Sequence, residues 1–282
     1  MNTKQKMTYV VGGKYIINEK IGEGAFGKIF SGENKNTGEK VAVKIERCDG
    51  NSLLRNEARV YSALRGISGI PNMRSWGNEG KFNYLVLDLL GVSLENKRTN
   101  YGGILTLDRV VNIGLQMLSH ISTIHERGII HRDIKPSNFM FGNSSNTETL
   151  YVIDFGLAKS YLENGRHIDM YEGRSVIGTA PFISINTHNG ITPSRRDDLE
   201  SLGYIMIYLL LGNLPWQECP SQDAPNRERI CAIKKSINLW NFSKENDIPG
   251  EIISFIEYCR TLRYEQEPNY NYLITLLMRI NC

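Results

Sequence analysis

The first ninety residues carry short apolar runs separated by polar segments that contain glycine, a pattern typical of β-strands. Strands are predicted over 15–21, 28–30, 41–45 and 84–87. The polar segment 32–39 is predicted as a turn that suits a hairpin, and one helix is predicted over Ser52–Leu64. The N-terminal part of the chain is therefore expected to be a small lobe built mainly from strands.

Beyond Gly91 the apolar positions follow the 3.6-residue period of helices. Thr106–Arg127 places its apolar residues on roughly one face, and Leu199–Leu211 is apolar nearly all round, as in a helix buried inside a large lobe. Further helices are predicted over 228–237, 249–262 and 270–280. The chain is thus predicted to have an α+β fold with two lobes, in which a short connection over about 88–91 joins a β-rich N-lobe to a larger, mainly helical C-lobe.

Composition and charge narrow the class of protein. Hydrophobic residues make up 41% of the 282 residues and charged residues 22%, which are the proportions of a soluble globular protein and not of a disordered chain. A net charge of +3 is too small and too dispersed to predict nucleic acid or an anionic membrane as the main partner. The longest strongly apolar run, Leu202–Leu211, has ten residues, whereas a membrane-spanning helix needs about 20, so no transmembrane segment is expected.

The cysteines indicate the compartment. The five cysteines are odd in number and scattered, and they form no C-x-x-C pair. This favours reduced thiols in a cytoplasmic or nuclear protein over a disulfide framework or a structural zinc site. The N-terminal residues also lack an apolar core of signal-peptide length.

A glycine cluster follows the first predicted strand. Gly22, Gly24 and Gly27 form a G-x-G-x-x-G pattern. In dinucleotide-binding folds the last glycine opens a helix, but residues 28–40 have a strand-like start, two glycines and no helical period, and no G-K-[ST] follows for a Walker A loop. The pattern therefore favours a flap of strand, glycine turn and strand, whose backbone amides can approach phosphate oxygens. An ordinary hairpin remains the alternative.

A lysine and a glutamate are predicted to form a buried ion pair. Glu57 shares a face of its predicted helix with the apolar residues Leu53, Val60, Tyr61 and Leu64. An inward-facing carboxylate costs several kcal/mol unless it is paired. Lys44, which follows the apolar residues 41–43 in the neighbouring strand, is the nearest cation that can also face inward. The alternative is that Glu57 lies at a solvated edge and Lys44 on an exposed strand face.

Two further segments carry the chemistry of phosphoryl transfer. Residues 131–138 read HRDIKPSN, and residues 154–156 read DFG, which together form the motif set of protein kinases. In this set Asp133 is suited to orient an attacking hydroxyl and accept its proton, and Lys135 to neutralise the transferring γ-phosphoryl group. Asn138 and Asp154 offer hard oxygen ligands for Mg²⁺. The sequence therefore predicts an ATP-dependent kinase with a magnesium site.

The sequence resembles the casein kinase 1 family of protein kinases from about residue 15 to the C-terminus. The residues that carry the resemblance are Ser184-Ile-Asn, where most kinases have A-P-E, the segment Ser194–Tyr204, and Gly212-Asn-Leu-Pro-Trp-Gln217. The resemblance implies a protein kinase domain over 15–282, preceded by an N-terminal extension over 1–14 and with an N-lobe over about 15–87. It implies phosphorylation of Ser or Thr in protein substrates, by a monomer, without prior phosphorylation of the activation segment.

The resemblance also assigns roles in nucleotide binding. Lys44 and Glu57 join Asp133 and Lys135 in catalysis. Leu87 is the gatekeeper, the Asp88 carbonyl and the Leu90 amide bind the base, and Asp198 anchors the HRD backbone. The residues expected around the adenine are Ile21, Ile29, Ala42, Met140 and Ile153. A charged surface segment leading into a helix is the alternative interpretation of Asp198 and its neighbours.

Three positions depart from the family in the region expected to bind a phosphate on the substrate. Pro181 follows Gly178-Thr-Ala where the family has a basic residue, Glu218 stands for a glycine, and Asn226 stands for a lysine. Losing cations and adding a carboxylate weakens phosphate binding. We therefore expect reduced dependence on phosphate-primed substrates, with Arg174 as the candidate remaining cation and Lys159 further away.

Two other functions compete with protein phosphorylation. A pseudokinase or scaffold keeps the fold without the chemistry, but such proteins usually lack the lysine, the HRD aspartate or the DFG aspartate, all of which are present here. A kinase of small molecules or lipids shares the ATP-binding lobe, but the segments 184–186 and 194–204 belong to the half that binds protein substrates in the family resembled.

Overall fold

The computed structural model describes residues 9–24, 27–48, 52–143, 146–217 and 224–280. An antiparallel sheet forms the N-lobe, in the spatial order β1-β2-β3-β4-β6-β5. Its strands are β1 (Tyr9–Val11), β2 (Tyr15–Gly24), β3 (Gly27–Asn34), β4 (Lys40–Arg47), β5 (Met73–Glu79) and β6 (Phe82–Asp88). The helices are α1 (Leu53–Ala63), α2 (Leu94–Asn100), α3 (Leu107–Glu126), α4 (Ile185–His188), α5 (Arg195–Leu211), α6 (Ala224–Ser236), α7 (Leu239–Glu245), α8 (Gly250–Thr261) and α9 (Tyr270–Met278).

Small two-stranded sheets link the loops of the C-lobe, and they pair β7 (Ile129–Ile130) with β10 (Lys159–Ser160), β8 (Phe139–Phe141) with β9 (Leu150–Val152), and β11 (Leu162–Glu163) with β12 (Arg166–His167). The first two of these sheets hold the segments that contain the HRD and DFG motifs. The expected two-lobed fold, with strands first and helices after, is confirmed.

The sheet of the N-lobe is curled, and its two faces bury different groups. Side chains that alternate along the strands fill a small core under the curl, formed by Val11, Tyr15, Val41, Val43, Tyr84 and Val86. Leu85 points to the opposite face and joins the large core together with Leu54 of α1. Lys44 lies directly opposite Leu85 in the register of β4 and β6, so the two share a face. This register directs Lys44 toward α1.

Helix α1 begins and ends close to the predicted bounds. The Ser52 hydroxyl accepts a hydrogen bond from the amide of Arg55 at 3.1 Å, so the first turn is capped by its own N-cap residue. The buried face of the helix carries four apolar residues together with Glu57. The amphipathic pattern of the segment therefore places a carboxylate against the sheet.

Helix α5 lies at the centre of the C-lobe. Leu199–Leu211 is buried nearly all round, as its sequence predicts, with α3 and α8 packed against it. The helix begins four residues earlier than predicted, at Arg195, because Ser194 and Asp197 form a capping box. It ends at Gly212, whose φ of +83° places it in the left-handed region that favours glycine.

Several elements differ from the sequence-based prediction. Tyr9–Val11, within the segment assigned to an N-terminal extension, pairs with β2 as an edge strand of the sheet. Strand β3 continues to Asn34, so the turn predicted over 32–39 is shorter. Strand β5 and helices α2 and α7 were not predicted, because the strand is largely polar and each of the two helices has only seven residues. Within the described part of the chain, every helix is too short or too polar to cross a membrane.

Candidate active site

A cleft of about 570 Å³ lies between the sheet and the C-lobe. Most of the predicted site residues line it, namely Ile21, Gly22, Gly24, Ile29, Ala42, Lys44, Glu57, Leu87, Asp88, Leu90, Lys135, Asn138, Met140, Ile153 and Asp154. They come from the flap, the sheet, the connection between the lobes and two C-lobe loops. Side chains far apart in the sequence therefore meet in one cavity large enough for a nucleotide-sized ligand.

The two strands of the glycine flap are present as predicted. Strands β2 and β3 pair as far as Gly24 and Gly27, and residues 25–26 lie outside the described part. Gly27 does not line the cleft, and a local packing reason accounts for its type. Its φ is +144°, and a Cβ there would lie 2.2 Å from the carbonyl oxygen of Ile45. A Cβ on Gly24, by contrast, would meet no described atom within 4 Å.

The connection between the lobes is braced on both sides. The carboxylate of Asp88 accepts hydrogen bonds from Nε of Arg74 at 2.6 Å and from the amide of Asn72 at 2.9 Å, which ties it to the N-lobe. The carbonyl of Leu89 accepts a hydrogen bond from Asn143 of the C-lobe. The contacts of Asp88 with Arg74 and Asn72 use its carboxylate, and not the carbonyl to which the resemblance assigns the base.

The predicted ion pair between Lys44 and Glu57 is present. Nζ of Lys44 lies 2.6 Å from Oε2 of Glu57 and 2.8 Å from Oδ1 of Asp154, so one ammonium joins the helix to the DFG segment. Burial raises the pKa of Glu57 to about 7, although Lys44 opposes the shift. Burial by itself lowers the pKa of Lys44, but the two carboxylates outweigh it and the pKa is raised. Lys44 is therefore a fixed cation that faces the cleft.

The catalytic loop is anchored from below by Asp198 at the start of α5. Its carboxylate accepts hydrogen bonds from the backbone amides of His131 at 2.7 Å and Arg132 at 2.9 Å, and Nε2 of His125 lies 3.0 Å away. Burial raises the pKa of Asp198, but the contact with His125 outweighs it and the pKa is lowered. Arg132 has a φ of +67°, a strained conformation that these contacts help to hold.

Three side chains converge on the carboxylate of Asp133. The hydroxyl of Thr179 donates to Oδ1 at 2.7 Å, Nζ of Lys135 lies 2.7 Å from Oδ2, and Nδ2 of Asn138 donates to Oδ2 at 3.2 Å. The same amide nitrogen of Asn138 donates to the Asp133 carbonyl at 2.8 Å. Asp133 is thus oriented by partners from both the catalytic loop and the segment that follows DFG.

Asn138 and Asp154 are suited to hold a divalent cation between them. The Asn138 side chain uses its nitrogen for Asp133, so its oxygen is the atom left for a ligand. Asp154 binds Lys44 through Oδ1, and its φ of +65° turns it out of the regular backbone. Burial raises the pKa of Asp154, but Lys44 outweighs it and the pKa is lowered, so the carboxylate stays ionised. An amide oxygen and a carboxylate are ligands that Mg²⁺ accepts.

Two residues of this site were not assigned a role from the sequence. Thr179 contacts Asp133 across 46 residues of sequence, which no local pattern reveals. His125 lies on the buried face of α3 and reads as a core residue, yet its ring joins Asp198 to the hydroxyl of Tyr270, 2.8 Å away. Both depend on contacts between distant segments.

The arrangement agrees with a comparison against models of known protein families. The model of the protein kinase domain matches residues 15–274, which covers both lobes and every residue of the cleft described above. Membership implies the use of ATP and a divalent metal and the phosphorylation of proteins. The chain belongs to the protein kinase family.

Proposed function

We propose that the chain is a serine/threonine protein kinase of the casein kinase 1 type, which transfers the γ-phosphoryl group of ATP with Mg²⁺ as the metal. The observation that carries this proposal is the carboxylate of Asp133, held between Lys135 and Thr179 beside a cleft that contains Lys44 and Asp154. Phosphoryl transfer needs positioned charges more than covalent chemistry, and these residues provide them.

The roles of the protein groups follow from their positions. Asp133 accepts the proton of the acceptor hydroxyl as the oxygen attacks the γ-phosphorus and the bond to the β-phosphate oxygen breaks. Lys135, bound to the same carboxylate, stabilises the charge on the transferring group. Lys44 is oriented by Glu57 toward the phosphates of the nucleotide. Asn138 and Asp154 would hold the metal, which when bound neutralises phosphate charge.

Preference for Ser or Thr is supported by the surroundings of Asp133. Thr179 binds the catalytic carboxylate directly, so the segment after DFG lies close to the position of the acceptor hydroxyl. A short Ser or Thr side chain brings the substrate backbone near this segment, whereas a Tyr hydroxyl lies a ring's length further from its own backbone. Lys135 lies two residues after Asp133. The resemblance implies that a lysine at this position is the serine/threonine-type form of the catalytic loop.

The casein kinase 1 type is supported by how Ser184 is used. Its buried hydroxyl donates a hydrogen bond to Oδ1 of Asp197 at 2.6 Å and accepts one from the amide of Thr187 at 3.0 Å. The Ser-Ile-Asn segment is thereby fastened to the start of α5, which carries the other motif of the resemblance. In this chain the two motifs form one polar cluster at the start of α5.

Reduced dependence on a primed substrate rests on the departures in the sequence, and the structure identifies the basic residues that test it. The guanidinium of Arg174 stacks on the ring of Tyr171, 4.7 Å from its centroid, and the Pro181 carbonyl accepts a hydrogen bond from Trp216. Arg227, which the sequence did not single out, lies 3.4 Å from the carbonyl of Val176 and is a further cation beside this segment. Glu218 lies outside the described residues.

Kinetics on matched peptides test the proposal. We expect kcat/KM on Ser and Thr peptides to exceed that on the matched Tyr peptide by at least about 10²-fold, because the wrong acceptor misplaces the reacting oxygen.

Priming is tested with a phosphoserine three residues before the target, which is expected to change kcat/KM little. The ratio of kcat/KM on primed and unprimed peptides is expected to change little in R174A and in R227A. D133N is the inactive control. Equal use of Tyr contradicts the Ser/Thr assignment, and a large primed preference contradicts the assignment on priming. If R227A removes that preference, Arg227 is the residue that binds the phosphate. No phosphoryl transfer to any acceptor favours the scaffold.

A further inference from the structure

Asn56, the residue before Glu57 on helix α1, contacts the DFG segment directly. Its Nδ2 donates to the carbonyl of Gly156 at 3.3 Å and to the carbonyl of Ala158 at 3.0 Å. Gly156 lies in the short 3-10 turn Phe155–Leu157 that follows Asp154, and Ala158 is the residue directly after this turn. The side-chain amide of Asn56 in the N-lobe therefore binds the backbone that follows Asp154, the predicted metal ligand.

The same turn is held from the C-lobe. Nε of Arg132 in the catalytic loop donates to the carbonyl of Leu157 at 2.6 Å, between the two carbonyls that Asn56 binds. The ring of Phe155 packs edge-on against Tyr61 of α1, with 5.0 Å between the centroids. Consecutive carbonyls thus bind neutral or cationic side chains of both lobes, and the turn is ordered by groups that the protein itself supplies.

The contact matters because the backbone of Asp154 is in an uncommon conformation. With a φ of +65°, Asp154 needs its surroundings to hold it, and the turn that follows it sets the direction of its side chain. The contact to Lys44 fixes Oδ1 from the other side. Releasing the turn is therefore expected to shift the carboxylate that would hold the metal, without removing any group from the nucleotide pocket itself.

We propose that Asn56 is a positioning residue that orients Asp154 for the metal through the carbonyls of Gly156 and Ala158. The inference rests on the proposed metal role of Asp154 and extends it to a residue outside the kinase motifs. Asn56 is not among the residues that line the cleft. Its loss is therefore expected to weaken metal-dependent binding of nucleotide more than binding of nucleotide alone.

The test compares binding of a non-hydrolysable ATP analogue with Mg²⁺ and with EDTA, by titration calorimetry. In N56A we expect the ratio of the two Kd values to shrink about five- to tenfold, since two hydrogen bonds of ordinary strength are lost. The Kd in EDTA is expected to stay at the wild-type value. We expect kcat to fall by a similar factor and KM for the peptide to be unchanged. N56Q keeps the donor and is expected to restore part of the ratio, whereas N56D turns a carboxylate toward two carbonyls and is expected to lose more than N56A.

R59A on the exposed face of α1 is the matched control. Alanine forms helix at least as well as asparagine, so N56A does not weaken the helix itself, and its Tm is expected to fall below that of R59A only by what the two lost hydrogen bonds account for. Amide hydrogen exchange at 155–158 is expected to rise in N56A and not in R59A.

If N56A keeps the wild-type ratio of the two Kd values, the inference about Asn56 is wrong and the proposed metal site stands. The same conclusion follows if N56A loses as much affinity in EDTA as it does with Mg²⁺. A wild-type protein that gains no affinity from Mg²⁺ overturns the proposed metal site together with the inference.

Discussion

Helices α1 and α5 each bring a buried carboxylate to the active site, but they hold it by different means. Thirteen of the seventeen residues of α5 are buried, and Asp198 binds two backbone amides of the catalytic loop. Five of the eleven residues of α1 are buried, and Glu57 binds the side chain of Lys44. The first carboxylate is part of the C-lobe core, and the second is one end of a polar bridge between a helix and a strand.

The difference shows how the site is divided between the lobes. The groups around Asp133 are fixed by contacts within the C-lobe, so disturbing them also disturbs the core. The groups around Lys44 are fixed by polar contacts of α1 with β4 and with the DFG turn, which can be changed with little loss of buried apolar surface. Substitutions in the two helices should therefore separate stability from activity.

The largest effect is expected for D198N. The amide keeps the shape of the side chain but turns an NH₂ group toward the amides of His131 and Arg132, which then lack one acceptor. We expect the free energy of unfolding to fall by about 3–5 kcal/mol, as for a broken buried charge contact, and activity to be lost. Chemical denaturation and a peptide assay on the same preparation measure both. D108N, in the exposed first turn of α3, is the control and should change neither. An active D198N of wild-type stability would remove the contrast between the helices.

E57Q is expected to affect activity and spare stability. Glutamine keeps the volume of the side chain but leaves Lys44 with Asp154 as its carboxylate partner. We expect kcat/KM to fall by roughly 10²-fold, the size of effect seen when one charge-positioning group is lost. Because burial already raises the pKa of Glu57 to about 7, a neutral side chain is well tolerated there and Tm should stay equal or rise. If E57Q loses as much stability as D198N, Glu57 supports the folded core to the same extent as Asp198, and the contrast between the two helices is wrong.

The sequence predicts both helices and the charged groups of the site well. The periodic pattern identifies both helices to within a few residues, and the inward position of Glu57 indicates its partner because an unpaired buried carboxylate is costly. The kinase motifs bring together Lys44, Asp133, Asn138 and Asp154 in one region.

Contacts that join distant backbone segments are not readable from the sequence. Asn56 is a polar residue at the margin of an amphipathic helix, and nothing in its neighbourhood indicates that it reaches carbonyls 100 and 102 residues away. Thr179 and His125 have the same character. Strand β5 was missed because its exposed polar residues hide the alternation that identifies a strand. Local patterns therefore predict the elements and the charged groups, and the structure adds the parts that orient them.

A smaller effect is expected from acidification near His188 of the C-lobe. Burial, and then the nearby Lys234, lower the pKa of His188 from 6.5 to about 3. The unfolded chain takes up this proton below pH 6.5 while the folded protein does not, so stability is present above pH 6.5 and is lost as the pH falls toward 3. One such group contributes at most about 1.4 kcal/mol per pH unit, and the partial exposure of the ring reduces this.

H188Q isolates the contribution of His188. We measure the free energy of unfolding of both proteins at pH 5.0, 6.0 and 7.0. The wild-type value minus the H188Q value should decrease as the pH falls. Titrating groups away from His188 are common to both proteins and cancel in the difference, and Lys234, whose Nζ lies 3.3 Å from Nε2 of His188, is the neighbour whose titration changes with the substitution. A difference that does not change with pH would mean that the ring takes up its proton equally in the folded and unfolded chains.

The smallest effect is expected for E46Q, which sharpens the account of how α1 is held. Glu46 lies two residues after Lys44, on the same face of β4, and its Oε1 accepts the amides of Leu53 at 3.1 Å and Leu54 at 3.3 Å. Its other oxygen accepts the hydroxyl of Ser52. One strand thus binds both the start of the helix and, through Lys44, its middle. We expect E46Q to cost about 0.5–1.5 kcal/mol, since charge and one acceptor are lost at a helix N-terminus.

The activity of E46Q distinguishes two accounts of the helix. If the start of α1 helps to place Glu57, kcat should fall a few-fold while KM for the peptide stays constant, and combining E46Q with E57Q should give less than the product of the two losses, because both act through the same ion pair. The control is E33Q, which removes a surface ion pair with Lys40 from the same sheet and is expected to cost less than about 1 kcal/mol. A product of independent losses would mean that Lys44 and Glu57 hold the helix without help from its first turn.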